Sequence, residues 1–124
     1  MDNITVLIAD DCPVATDGLQ CILYHYPDVE VVGVAANGIE ALDKAQKLQP
    51  GVVLLDAQMP GIDCVETTRR FKKLLPGIKI LLMAVHMAQL NAALDAGADG
   101  FIMKDSDRKE LVDSIRKLGR VDKG

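Results

Sequence analysis

The sequence has no apolar run approaching the ~20 residues that a membrane-spanning helix requires, and Met1 to Ile4 lack the basic start and apolar core of a secretory leader. Those absences argue against a membrane protein and predict a cytoplasmic one. There is no basic run either, and the formal charge is −4, so the electrostatic footprint of a nucleic-acid binder is missing and no direct contact with nucleic acid is expected. Cysteine is scarce and unpaired. Cys12, Cys21 and Cys64 are odd in number and widely spaced, unlike a disulfide framework or the close ligand pairs of a zinc site. Reduced, packed thiols are expected. Repeats and low-complexity segments are absent as well.

What is present suits one globular domain: 124 residues, 49% hydrophobic and 26% charged, enough to bury a core and too apolar for disorder. The clearest stretch is Val52-Val53-Leu54-Leu55-Asp56, bounded by Pro50-Gly51 and Pro60-Gly61. Four consecutive Val/Leu residues between turn signals are too few for a buried helix and read as a strand covered on both faces, ending in a carboxylate. A strand-ending Asp can simply begin a turn, so the rest of the chain must decide its role. Ile4 to Ala9 is a first strand, followed by Asp10-Asp11. Pro13 opens a helix marked by Ala15, Leu19, Ile22, Leu23 and Tyr26. Val29 to Val34 is a second strand, and Asn37-Gly38 opens a second helix with Ala41, Leu42, Ala45 and Leu48 on one face. Val65, Thr68, Phe71, Leu74 and Leu75 mark a third helix, with Arg69, Arg70, Lys72 and Lys73 on a solvated face. Ile78 to Val85 is a fourth strand, Leu90, Ala93 and Leu94 a short helix stopped at Gly97, and Phe101 to Met103 a fifth strand ending at Lys104. Asp107 caps a final helix striped by Leu111, Val112, Ile115 and Leu118, which exits at Gly119. The domain is thus expected over 1–118, with 119–124 a tail or truncated linker.

Five strand–helix alternations in this length predict an α/β fold, a doubly wound parallel sheet with helices on both faces. In a flavodoxin-like (βα)5 arrangement with strand order 2-1-3-4-5, strands one, three and five deliver Asp10, Asp11, Asp56 and Lys104 to one crevice. Three crowded carboxylates repel unless a cation compensates. Oxygen ligands with open positions suit Mg²⁺, which takes a few carboxylates, several waters and a phosphate oxygen. A carboxylate can also act as a nucleophile, and phosphoryl transfer chiefly needs in-line positioning with cations on the equatorial oxygens. Asp56, Mg²⁺ and Lys104 meet that need. His86 and His25 are lone histidines at element ends and read as loop residues.

Residues 6–11 (VLIADD), 54–61 (LLDAQMPG), 96–101 (AGADGF) and Lys104 together resemble the receiver domain of bacterial two-component response regulators, over about residues 4–118. The resemblance implies that Asp56 accepts a phosphoryl group from a sensor histidine kinase, with Asp11, Asp56 and the Gln58 backbone carbonyl on Mg²⁺. It implies that Asp10 holds the metal through water and that Lys104 contacts the acyl phosphate. It also implies that Phe101 is the aromatic whose rotamer reports phosphorylation to the face of helix four, strand five and helix five. Such a domain phosphorylates and dephosphorylates itself and is not a turnover enzyme on small substrates. Asp105 after Lys104 resembles receivers that precede a LuxR-like helix-turn-helix domain, so a C-terminal DNA-binding effector absent from this chain is a further expectation.

Two departures from the family pattern stand out. Ala84 occupies the position of the phosphate-binding Thr or Ser at the end of strand four, and no Ser or Thr lies between Thr68 and Ser106 to replace it. The segment from His86 to Gly97 is also slightly shorter than in related receivers. These departures motivate a rival, a receiver-like interaction module independent of phosphorylation. Enzymatic rivals fit less well: an aspartyl phosphatase wants a second Asp where Gln58 stands, and an FMN protein wants a hydroxyl- and glycine-rich loop where Asp10-Asp11-Cys12-Pro13 stands.

Overall fold

A computed structural model describes residues 3–120. The apolar runs become five parallel strands, β1 (Ile4–Ala9), β2 (Val29–Ala35), β3 (Val52–Asp56), β4 (Lys79–Ala84) and β5 (Gly100–Met103). The helices are α1 (Pro13–Tyr24), α2 (Gly38–Leu48), α3 (Cys64–Leu74), α4 (Asn91–Asp95) and α5 (Arg108–Gly119), with a short 3₁₀ turn over Met87–Gln89. The sheet order is β2-β1-β3-β4-β5, the expected flavodoxin-like arrangement. The expected tail lies largely outside the described residues, at 121–124; within them, Gly119 closes α5. Among the described residues no helix is long and apolar enough to cross a membrane.

The inner strands β1, β3 and β4 are buried on both faces while the edge strands β2 and β5 are partly exposed, and the period-2 alternation of the side chains divides the core in two. Leu7, Ala9, Val53, Leu55, Ile80, Leu82 and Ala84 point to a layer closed by α2, α3 and α4 through Ala41, Ala45, Phe71 and Ala93. Val6, Ile8, Val52, Leu54, Leu81, Met83 and Ile102 point to a layer closed by α1 and α5 through Leu23, Leu111, Val112 and Ile115. The strands pair in register, Val52 opposite Val6 and Lys79, so the C-terminal ends of β1, β3 and β4 form one edge.

Several local expectations are corrected. Cys12 and Cys21 are exposed and only Cys64 is buried, because Cys12 precedes the first turn of α1 and Cys21 falls on its outer stripe. The buried stripe of α3 is Cys64, Thr67, Thr68 and Phe71, whereas Leu74 is 54% exposed. Lys72 is not on a solvated face: its ammonium pairs with Asp99 at 2.6 Å and donates to the Ile78 carbonyl. That ion pair ties α3 to the turn before β5.

Candidate functional site

The C-terminal edge of the sheet carries the charges. Asp56 is the last residue of β3, Asp10 and Asp11 follow β1 at once, and Lys104 follows β5. Asp10 and Asp56 are 3% and 4% exposed, while Asp11 faces solvent. One carboxylate oxygen from each of the three lies within 4.8 Å of the others. The Lys104 ammonium stands 3.0 Å from Asp56 Oδ2 and 3.7 Å from Asp10 Oδ2. All four side chains that the strand ends were expected to deliver are therefore together.

Main-chain bonds set their orientation. The Gln58 N–H donates to Asp56 Oδ1 at 3.0 Å, and the Cys12 N–H donates to Asp10 Oδ1 at the same distance. Each is a turn in which a strand-ending Asp accepts from the residue two positions on. The plain structural reading of a strand-ending Asp is thus also true of Asp56: the turn points the carboxylate while the second oxygen meets the lysine. The Lys104 N–H donates to the Ala84 carbonyl at 2.8 Å, anchoring the base of the lysine to β4.

Burial pushes the Asp56 carboxyl above its ordinary value; the nearby Asp10 charge adds to that, and the Gln58 and Lys104 hydrogen bonds oppose it without cancelling it. For Lys104, burial pulls the ammonium down, but the hydrogen bond to Asp56 and the charges of Asp56, Asp10 and Asp11 outweigh it, so its pKa is raised. Lys104 is therefore a fixed cation. The donor set fits a hard divalent ion, since three carboxylates converge from the ends of two adjacent strands with one of them open to solvent.

The remaining expected residues are placed as follows. Gln58 is exposed and contributes its main-chain N–H to the site. Ala84, the last residue of β4, is buried with its methyl among the α2/α3/α4 layer, so no hydroxyl projects there. Phe101, in β5, is 42% exposed. His86 is exposed past β4, and His25 follows α1 with its ring edge-on to Tyr24 at 6.0 Å.

The response regulator receiver domain model matches residues 6–116. The chain belongs to this family. The receiver is 40% identical over 120 residues to the response regulator protein VraR of Staphylococcus aureus (strain Mu3), covering 95% of this chain and 57% of that protein. It spans just over half the length of the curated relatives it matches. Among solved structures, the signal receiver domain of the putative response regulator NarL from Mycobacterium tuberculosis superposes with a TM-score of 0.91 at 32% identity, over 97% of this chain and 98% of that one. A LuxR-family two-component response regulator from Aurantimonas sp. SI85-9A1 gives 0.90 at 29% identity, over 97% and 87%. The isolated receiver domain of RcsB from Salmonella enterica serovar Typhimurium, solved with the phosphomimetic BeF₃⁻, gives 0.86 at 27%, over 96% and 90%. The receiver is accordingly a phosphorelay signalling domain; receiver domains generally bind Mg²⁺ at an acidic pocket, and a cluster of Asp10, Asp11 and Asp56 is present here.

Proposed function

We propose that Asp56 is the phosphoacceptor, taking a phosphoryl group from a phosphohistidine of a sensor kinase. A carboxylate oxygen of Asp56 attacks phosphorus, the P–N bond breaks, and the imidazole nitrogen keeps the electron pair and takes up a proton. The observation that carries this reading is the 3.0 Å contact between Lys104 and a buried Asp56 held by the Gln58 N–H. Lys104 is poised to move onto a phosphoryl oxygen, where a preformed cation lowers the barrier without reorganisation.

Asp11 and Asp56, with the Gln58 backbone carbonyl, would hold Mg²⁺, and Asp10 would reach it through water. When bound, the ion supplies positive charge to the transferring phosphoryl oxygens. Asp10 also steadies Lys104 before transfer. Autodephosphorylation would use the same residues, with water attacking phosphorus. A module independent of phosphorylation is not favoured, because the acidic pocket and its lysine are all assembled.

The shared length with VraR and the LuxR-family neighbours support a DNA-binding effector domain as the output of the parent protein. Ala84 divides acceptance from switching. Acceptance rests on Asp56, Lys104 and the metal; the family's switching hydroxyl is missing, and a hydrogen bond to a charged oxygen is worth about 1.5–3 kcal/mol. Phe101 should therefore respond weakly to phosphorylation. Acetyl phosphate with Mg²⁺ should add one phosphoryl group, read by intact mass, and Asp56→Asn should add none. Undiminished labelling of Asp56→Asn would refute the assignment.

A further inference from the structure

The N-terminal edge of the sheet, opposite the acidic pocket, carries a groove that the phosphorelay chemistry does not use. It lies between the end of α1 and the start of β2, about 360 Å³ in volume, bordered by Leu23, Tyr24, Tyr26, Val29, Glu30 and Val31. Ligand pockets begin at about 300 Å³, so a short peptide fits. Both tyrosines of the chain border it, and Tyr24 is 86% exposed. Tyrosine suits an interface because its ring is apolar and its tip is wet. β2 is an edge strand, and exposed edges are normally blunted or covered. Its far half is: the register with β1 slips between Val31 and Gly33, and the Lys44 ammonium donates to the Val34 carbonyl. The half at Val29–Val31 is the one that borders the groove. The end of α5 arrives at the same place. Arg116 lies over the Tyr26 ring, and Arg120, the last of the described residues, donates to Asp28 at 2.6 Å. Asp28 stands between Pro27 and Val29, which both line the groove.

We propose that the stretch leaving α5 after Arg120, Val121-Asp122-Lys123, folds back along this groove and covers the open half of β2, so that the remainder of the parent protein departs from the β2 edge. The proposal does not depend on Asp56 being the phosphoacceptor. Reach allows it: four extended residues span at most about 14 Å, and Arg120 is already bonded to a residue that stands between two lining the groove. Chemistry matches as well. Val121 supplies an apolar side chain for the wall of Leu23 and Tyr26, and Lys123 is basic where Glu30, exposed at the groove, is acidic. The closure is intramolecular, and a short tether holds its end at an effective concentration of about millimolar, so a contact too weak to capture a free peptide is populated here. The Asp28–Arg120 pair favours it further, because the residue from which the stretch starts is held in advance.

The test is NMR of the whole chain. Nuclear Overhauser contacts are expected between the Val121 methyls and the Leu23 methyls or the Tyr26 ring, with intensities independent of protein concentration. Glu30→Lys should weaken those contacts by up to about fivefold, the range of an exposed ion pair, and Glu30→Lys combined with Lys123→Glu should restore them. Val121→Asp should move the resonances of Leu23, Tyr26 and Val31 while leaving those of Asp10, Asp56 and Lys104 in place. Absence of any contact from Val121 to the groove would overturn the proposal, as would a double exchange that restores nothing. Contacts from Met1 in place of Val121 would overturn it in favour of the N-terminus, which enters beside Asn3 at the groove. Contacts that grow with protein concentration would overturn it in favour of a second copy of the chain. None of these outcomes touches the phosphoacceptor assignment, which is read separately from the labelling of Asp56.

Discussion

Asp56 carries a charge at neutral pH that its surroundings disfavour. Its folded pKa lies above the ordinary value of 3.8 because burial outweighs its two hydrogen bonds. A carboxyl raised in the folded state stabilises the fold when protonated, and that contribution is lost as pH rises through the folded pKa. In metal-free buffer Asp56→Asn is therefore expected to melt higher than the native protein at neutral pH. The difference should close as pH falls below 3.8, where both forms are neutral at this site. Thermal melts across that range with a chelator present would check it, and a lower melting point for Asp56→Asn at pH 7 would show that the Lys104 pair outweighs burial. Mg²⁺ should relieve the same crowding: an ion at a hundredfold excess over its dissociation constant stabilises by about 2.7 kcal/mol. Asp11→Ala should lose most of that increment, and an equal response to Mg²⁺ in both proteins would remove Asp11 from the site.

Three helices begin in the same way. Asn37, Asp63 and Asp107 each accept the N–H of the residue three positions on, and in all three cases that residue is a glutamate, Glu40, Glu66 or Glu110. The side-chain cap satisfies an orphan amide, and the glutamate complements the positive end of the helix. The short α4, preceded by Leu90, has no side-chain cap, and neither has α1, whose N-cap residue, Cys12, is followed by Pro13, which has no N–H to satisfy. Asn37→Ala should cost about 1 kcal/mol in chemical denaturation without changing phosphoryl acceptance. Gly38, at the first turn of α2, packs tightly against α3 and the loop before it: an added β-carbon would overlap Thr67 Oγ1 and sit 2.9 Å from Ile62 Cγ1. Thr67 cannot give way freely, because its hydroxyl donates to the Asp63 carbonyl at 2.8 Å. Gly38→Ala is thus expected to destabilise by about 1–3 kcal/mol, against the usual gain from alanine in a helix. A stabilised variant would show that the two helices separate easily.

At the scale of the whole molecule, Asp28, just before β2, ties that turn to the end of α5. Its carboxylate accepts from Arg116 Nε at 2.8 Å and from a terminal nitrogen at 3.0 Å, and from Arg120 at 2.6 Å. Arg116 also lies over the Tyr26 ring, 5.5 Å from its centroid. The Arg116 hydrogen bonds hold the Asp28 carboxyl down at about 2, against 3.8. A lowered carboxyl contributes stability above its unfolded pKa and loses it as pH falls from 3.8 through about 2. Because the Asp28 side chain is 26% exposed, solvent screens the pair, and Asp28→Asn is expected to cost only about 1 kcal/mol at neutral pH. The cost should shrink in acid. Hydrogen exchange should show the loss at the end of α5, and an unchanged exchange rate there would mean that packing alone holds the helix end.

The parts of this protein that the sequence determined by itself are those written in neighbouring residues. Apolar runs ending in Asp10-Asp11, Asp56 and Lys104 identify buried strands with chemistry at their ends, and the strand–helix alternation restricts the topology enough to bring those ends together. The caps at Asn37 and Asp107 were equally local. Other features depend on the rotation of each helix about its axis and on partners distant in sequence. Thr67 rather than Leu74 faces the core of α3, because the helix is seated against α2 at Gly38. Lys72 turns inward because Asp99 lies across the chain, and Cys21 faces out because Leu23 takes the core position on α1. The Asp28 cluster spans 88 and 92 residues, and the groove beside it exists only where the end of α1 leaves the start of β2 uncovered. A pattern read along the chain specifies which residues must be buried; only packing in three dimensions decides which charges meet and where space is left.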